Sequence, residues 1–159
     1  MILLQIILFL ALYTGMVAFA VRGGAINALF FYPKPVQERA FAIGLADRED
    51  IRRKSVRFMT SFLVVLLAAL LLIIGLWNRV VDFKTAYLQA LFFLDVSNWY
   101  DGIVIDRLWV GHSKTWVIAG TEDIPFVKPW KEILIKRTIA SLVWLAGAAV
   151  VAALVVLIF

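Results

Sequence analysis

Three apolar runs, at residues 2–21, 58–77 and 138–159, constrain this chain more than anything else in it. The first holds only Gln5, Tyr13 and Thr14 as polar interruptions. The second has Thr60 and Ser61 near its start, and the third carries no charge. Each is about 20 residues long, the length an α-helix needs to cross a hydrocarbon core of roughly 30 Å. The whole chain is 64% hydrophobic and 17% charged, whereas a water-soluble domain is about half apolar and about a quarter charged. A soluble globule is therefore excluded.

A fourth span is expected at 85–106, with weaker hydropathy; three spans is the alternative count, if this segment is re-entrant. Residues 86–96 are apolar except for Gln89 and Asp95, and 102–105 resume the pattern. The expected fold is all-α: an integral membrane bundle of four transmembrane helices with two cytosolic loops, formed as one domain over 1–159. The chain has no cysteine and a single histidine. Disulfides, thiolate metal sites and thiol redox chemistry are thereby excluded, as is a bis-histidine haem within one chain. No cofactor and no metal are expected.

The net charge of +5 follows topology and does not point to nucleic acid. Eight basic residues lie between the first two runs, from Arg22 to Arg57. Only Arg79 and Lys84 lie in the second connection, and six follow the third span, from Arg107 to Arg137. Connections one and three share a side in a four-span protein, so the split is fourteen against two. By the positive-inside rule the richer side is cytosolic. This places the protein in a cytoplasmic (inner) membrane, multi-pass, with both termini outside. The stretch 18-AFA-20 fits a signal-cleavage pattern, but nothing basic precedes the first run and Arg22 follows it, which suits a retained helix.

In the first loop, Gly23 and Gly24 end the first helix, Pro35 starts a short helix through Ile43, and Gly44 stops it. Asp47 caps the next helix, with Asp50 reaching back. That helix begins in the cytosol and carries its cationic lead, Arg52 to Arg57, to the lipid surface, where the partners are membrane lipids. Trp77, Trp99, Trp109 and Trp130 near the span ends read as interfacial anchors. In the last run, Ala148 with Ala152 and Ala149 with Ala153 suit close helix packing. Packing within the bundle is the first use of those alanines, and contact with a second copy the next.

The polar stretch 97-SNWYDGIVIDRLWVGHSKTW-116 is the part that packing alone does not explain. At about 100° per residue, Asp95, Asn98 and Asp106 share roughly 80° of arc, with Asp101 on the flank. An ionised carboxylate within a bilayer costs several kcal/mol unless paired, hydrated or neutralised. One reading makes these residues bundle hydrogen bonds and an exit marker. The other makes Asp95, Asn98, Asp106, Arg107, Lys114, Glu122 and Asp123 the lining of a cytosol-facing pocket, with Asp101 and His112 as acid/base candidates. Its ligand would be a lipid or amphiphile with an anionic headgroup. The rival function is a non-catalytic membrane subunit or scaffold whose basic loops dock a membrane-protein partner. A proton or transport path through Asp95 is the weakest, because the other runs offer few polar groups to continue it.

The motifs 32-YPKPVQERA-40, 98-NWYDGIVIDRLWVGHSK-114 and 120-GTED-123 together resemble a family of small bacterial four-span integral membrane proteins without an assigned activity. The resemblance covers most of the chain and implies a fold and a compartment, but no reaction. The fragments 104-VIDR-107 and 80-VVDF-83 share letters with the aspartate motifs of lipoprotein signal peptidase, yet they occur in the reverse order. The fragment 101-DGIVIDR-107 resembles CDP-alcohol phosphotransferases, without their downstream aspartates.

Overall fold

The computed structural model describes all 159 residues, and every regular element in it is helical. Helix α1 spans Ile2–Ala20. It ends at Gly23 and Gly24, whose φ values of 84° and 125° turn the chain in a region that favours glycine. A 3-10 stretch, Ala25–Phe31, leads to the short α2, Lys34–Ala42, which has proline in its first turn. Gly44, with φ 74°, closes it. Helix α3, Arg48–Leu71, is capped by Asp47, whose carboxylate accepts from the Glu49 and Asp50 amides at 2.9 Å each. Asp50 does not reach back to the cap. It pairs with Lys54 one turn on, at 2.8 Å. A π-helical stretch, Leu72–Trp77, prolongs α3.

Helix α4, Phe83–Tyr100, starts at Asp82, which accepts from the Thr85 amide at 2.8 Å. Without a break it becomes a π-helical stretch, Asp101–Trp109, and then the single turn α5, Val110–His112. The helical run thus passes the expected end at 106. After an irregular segment, α6 runs over Trp130–Ile158.

Three helices are long and apolar enough to cross a membrane: Ile2–Ala20, Arg48–Trp77 and Trp130–Ile158. Only 22% of each apolar window is buried inside the protein. Leu63, Val64, Leu142 and Val143, among many others, lie on the outside. Apolar surface on that scale is stable against lipid and not against water.

The packing has two centres. In the first, Ala86 and Ala90 of α4 and Ala148 and Ala152 of α6 are fully buried beside Phe93, Leu94 and Val155. Four methyl-sized side chains let two helix backbones approach closely, which is how helices associate where no water drives them together. The Ala148–Ala152 pair is therefore used within the chain. In the second, Val17 and Val21 of α1, the 25–36 segment and Ile51 meet Ile105, Trp116 and Ile118. Both basic connections thus fold over the same end of the bundle. The Tyr32 hydroxyl donates to the Trp116 carbonyl at 2.6 Å, and Arg39 pairs with Asp123 at 3.3 Å. At the opposite end, Gln5 donates to Asn78 at 2.6 Å, Asn78 donates to Gln89 at 2.8 Å, and the Phe159 ring lies against Gly75.

Candidate functional site

The polar groups of the α4 run converge on one residue of α6, Arg137, only 8% exposed. Its Nη2 lies 2.5 Å from an Asp101 carboxylate oxygen and donates to Asp106 at 2.6 Å. Its Nη1 donates to Asn98 Oδ1 at 3.4 Å. Asn98 in turn donates to the Arg137 carbonyl at 2.9 Å and to Ser141 at 3.2 Å. The Ser141 hydroxyl donates to Asp95. From the far side Lys128 reaches both oxygens of Asp106, at 3.0 and 2.9 Å. Two carboxylates and two cations neutralise one another, as a largely buried cluster requires.

The backbone explains the pairing. In an α-helix, residues five apart point about 140° away from each other, so Asp101 and Asp106 would diverge. In the π-helical stretch Asp101–Trp109, hydrogen bonding shifts to five-residue spacing and brings them to one side. Gly102 makes room for the guanidinium: a Cβ there would meet Arg137 Nε at 2.8 Å and Cγ at 2.9 Å.

Above the cluster lies a cavity of about 310 Å³ between α1, α3, the π-helical stretch and the two basic connections. Its walls are mostly aromatic and include Tyr13, Phe30, Phe31, Phe58, Phe62 and Trp116. Asp101, Asp106, Lys128, Lys136 and Arg137 form its polar part. Trp116 keeps a buried indole N–H without a hydrogen-bond partner. An apolar chamber with a few convergent polar groups is the usual build of a small-molecule site.

The residues anticipated from the sequence divide in two. Asp101 and Asp106 line the chamber, and Asn98 and Asp95 extend the same polar seam along α4 to α6. The other five stand apart from it. Arg107 turns outward over the Trp130 ring, 5.4 Å from its centroid. His112 is exposed, its ring bonded to the Leu108 carbonyl at 3.0 Å. It forms no common ligand set with Asp101 and Asp106. Lys114 is exposed. Glu122 accepts from the Gly120 amide at 2.8 Å, and Asp123 holds Arg39. Of the two acid/base candidates, Asp101 lines the chamber, and His112 lies on the outer surface beyond the π-helical turns. Arg137, Lys128, Tyr13, Ser141 and Gly102 were missed. One signal pointed to Arg137: three carboxylates on one apolar helix require a cation, and it is the basic residue that directly precedes the last apolar run, 138–159.

Fold and site together define a class: an all-helical protein with three helices long and apolar enough to cross a membrane and a charged cluster beneath a mostly aromatic chamber. Comparison with known proteins gives nothing narrower, since no family model matches the chain and no curated protein or solved structure is significantly similar to it.

Proposed function

We propose that the protein is a four-span protein of a bacterial cytoplasmic membrane that binds an amphiphile in this chamber, from the cytosolic leaflet. The α4–α5 run, Phe83 to His112, is the fourth span. Its polar seam lowers its hydropathy, and α6 covers that seam. Both basic connections lie in the cytosol, and both termini outside. The ligand's apolar part packs against Phe31, Phe58, Phe62 and Trp116, and its polar end meets the Asp101–Arg137–Asp106 cluster. One observation carries this reading: the cluster forms one part of a chamber whose other walls are apolar and mostly aromatic. The charge balance favours an anionic headgroup, because the two carboxylates face three cations and Lys136 forms no ion pair. Asp101 is the acid/base candidate, being the carboxylate that Lys128 does not hold.

Native mass spectrometry of the chain released from mild detergent tests this. A bound amphiphile present in the wild type and lost from Phe62→Trp, which narrows the chamber, and from Asp101→Asn is the expected result. Bare protein in every preparation would sink the proposal. The second reading, a non-catalytic subunit that docks a partner, draws on the surface placement of His112, Lys114 and Glu122, none of which lines the chamber. Under that reading, charge reversal at Lys114 and Glu122 releases a co-purifying membrane protein while Asp101→Asn does not.

A further inference from the structure

A second space lies on the other side of the Phe30 and Phe58 rings, which line both it and the chamber; its remaining residues are different ones, most of them on another face of α1 and α3. It is an open groove of about 640 Å³ between α1 and α3. Its apolar length is formed by Leu12, Gly15, Met16 and Phe19 of α1. One end is cationic, with Arg22, Lys54 and Arg57. Lys54 is engaged by Asp50 at 2.8 Å and by Asn27 at 3.2 Å. Arg22 and Arg57 form no ion pair, and both are exposed. The groove floor is open because of one residue: a Cβ built on Gly15 meets no atom within 4 Å. Glycine costs about 1 kcal/mol against alanine in a helix interior, and no contact inside the protein requires it here.

We infer that this groove is a binding site for an anionic glycerophospholipid, one acyl chain lying over Gly15 and the phosphate held by Arg22 and Arg57. The occupant follows from chemistry and position. The groove faces the apolar surroundings of two membrane-crossing helices, so its long part takes hydrocarbon. Its cationic end has two arginines free to form paired hydrogen bonds with phosphate oxygens, a geometry that guanidinium groups favour. It stands at the cationic start of α3, where a headgroup of the same leaflet lies. A free phosphate would use the arginines alone. A phospholipid uses both ends, and this separates the two.

The test uses the full chain in nanodiscs containing equal amounts of phosphatidylglycerol and phosphatidylcholine, released into a native mass spectrometer. The wild type is expected to retain one phosphatidylglycerol in preference to phosphatidylcholine. Loss of one cation, in Arg22→Gln or Arg57→Gln, lowers that preference about fivefold. Gly15→Leu fills the groove from α1, at a position where a Cβ meets no atom within 4 Å, and abolishes retention with every cation in place. Ser61→Leu, on the facing wall, does the same from α3. Equal retention of both lipids by the wild type overturns the inference, and so does retention that persists in both leucine variants. Asp101→Asn keeps the groove lipid, so failure of the chamber proposal and failure of this one give different results.

Discussion

At the scale of single residues, the molecule turns on Arg137. A guanidinium whose Nη2 is shared by two carboxylates is stable inside a helix bundle only while all its partners remain. Removing it leaves Asp101 and Asp106 largely buried and facing each other, a change that typically costs about 3–5 kcal/mol. Arg137→Leu is therefore expected to destabilise the protein by an amount in the lower part of that range, because Lys128 still neutralises Asp106. Gly102→Ala should act through the same site. Its methyl group would displace the Arg137 side chain, at a cost of roughly 1–3 kcal/mol. Denaturant titration in detergent measures both. Strong non-additivity in the Gly102→Ala, Asp106→Asn double variant would show that the glycine works by placing the arginine; simple addition would show that it does not.

The elements show what could be read from the sequence and what could not. The start and course of helix α3 were legible, because Asp47 is a strong cap and 51–58 run straight into an apolar stretch; the Asp50–Lys54 pair and the π-helical end were not. So was α2, bracketed by Pro35 and Gly44. The π-helical stretch Asp101–Trp109 was not. Its residues have no composition that marks wider spacing, and an α-helical projection puts Asp101 at the edge of the polar face instead of beside Asp106. The segment 113–129 was equally hidden, since its position depends on Trp116 and Ile118 entering a core built by another loop. The Tyr32–Trp116 hydrogen bond joins those two loops, and Tyr32→Phe should cost about 1 kcal/mol. Burial raises the Tyr32 pKa. The folded protein then holds the phenol proton after the unfolded chain has lost it, so this contribution is complete below about pH 10, the ordinary tyrosine value, and declines above it. Stability measured on both sides of that pH should converge between wild type and Tyr32→Phe at the alkaline end. A constant difference would assign the effect to packing.

For the whole molecule, the decisive quantity is the charge carried at each end. Arg79 and Lys84 are the only basic residues of the connection that lies with Gln5 and Gly75, at the end where both termini sit. The other fourteen lie along the segments that build the opposite end, so sequence order and three-dimensional arrangement agree on two unequal poles. The α4–α5 run joins the poles, and α6 supplies partners to the three carboxylates of that run, as the proposed fourth span requires. The chain has no native cysteine, so single cysteines can be placed on a clean background. Lys84→Cys and Lys114→Cys both replace exposed side chains, one in the first turn of α4 and one after α5. In intact cells, a membrane-impermeant maleimide is expected to label Lys84→Cys, and Lys114→Cys only after permeabilisation. The reverse pattern would invert the orientation and put the chamber at the outer leaflet. Labelling of both in intact cells, or of neither, would place them on one side. The α4–α5 run would then not cross, and the Asp101–Arg137–Asp106 cluster would be a fold within one leaflet instead of the polar seam of a span.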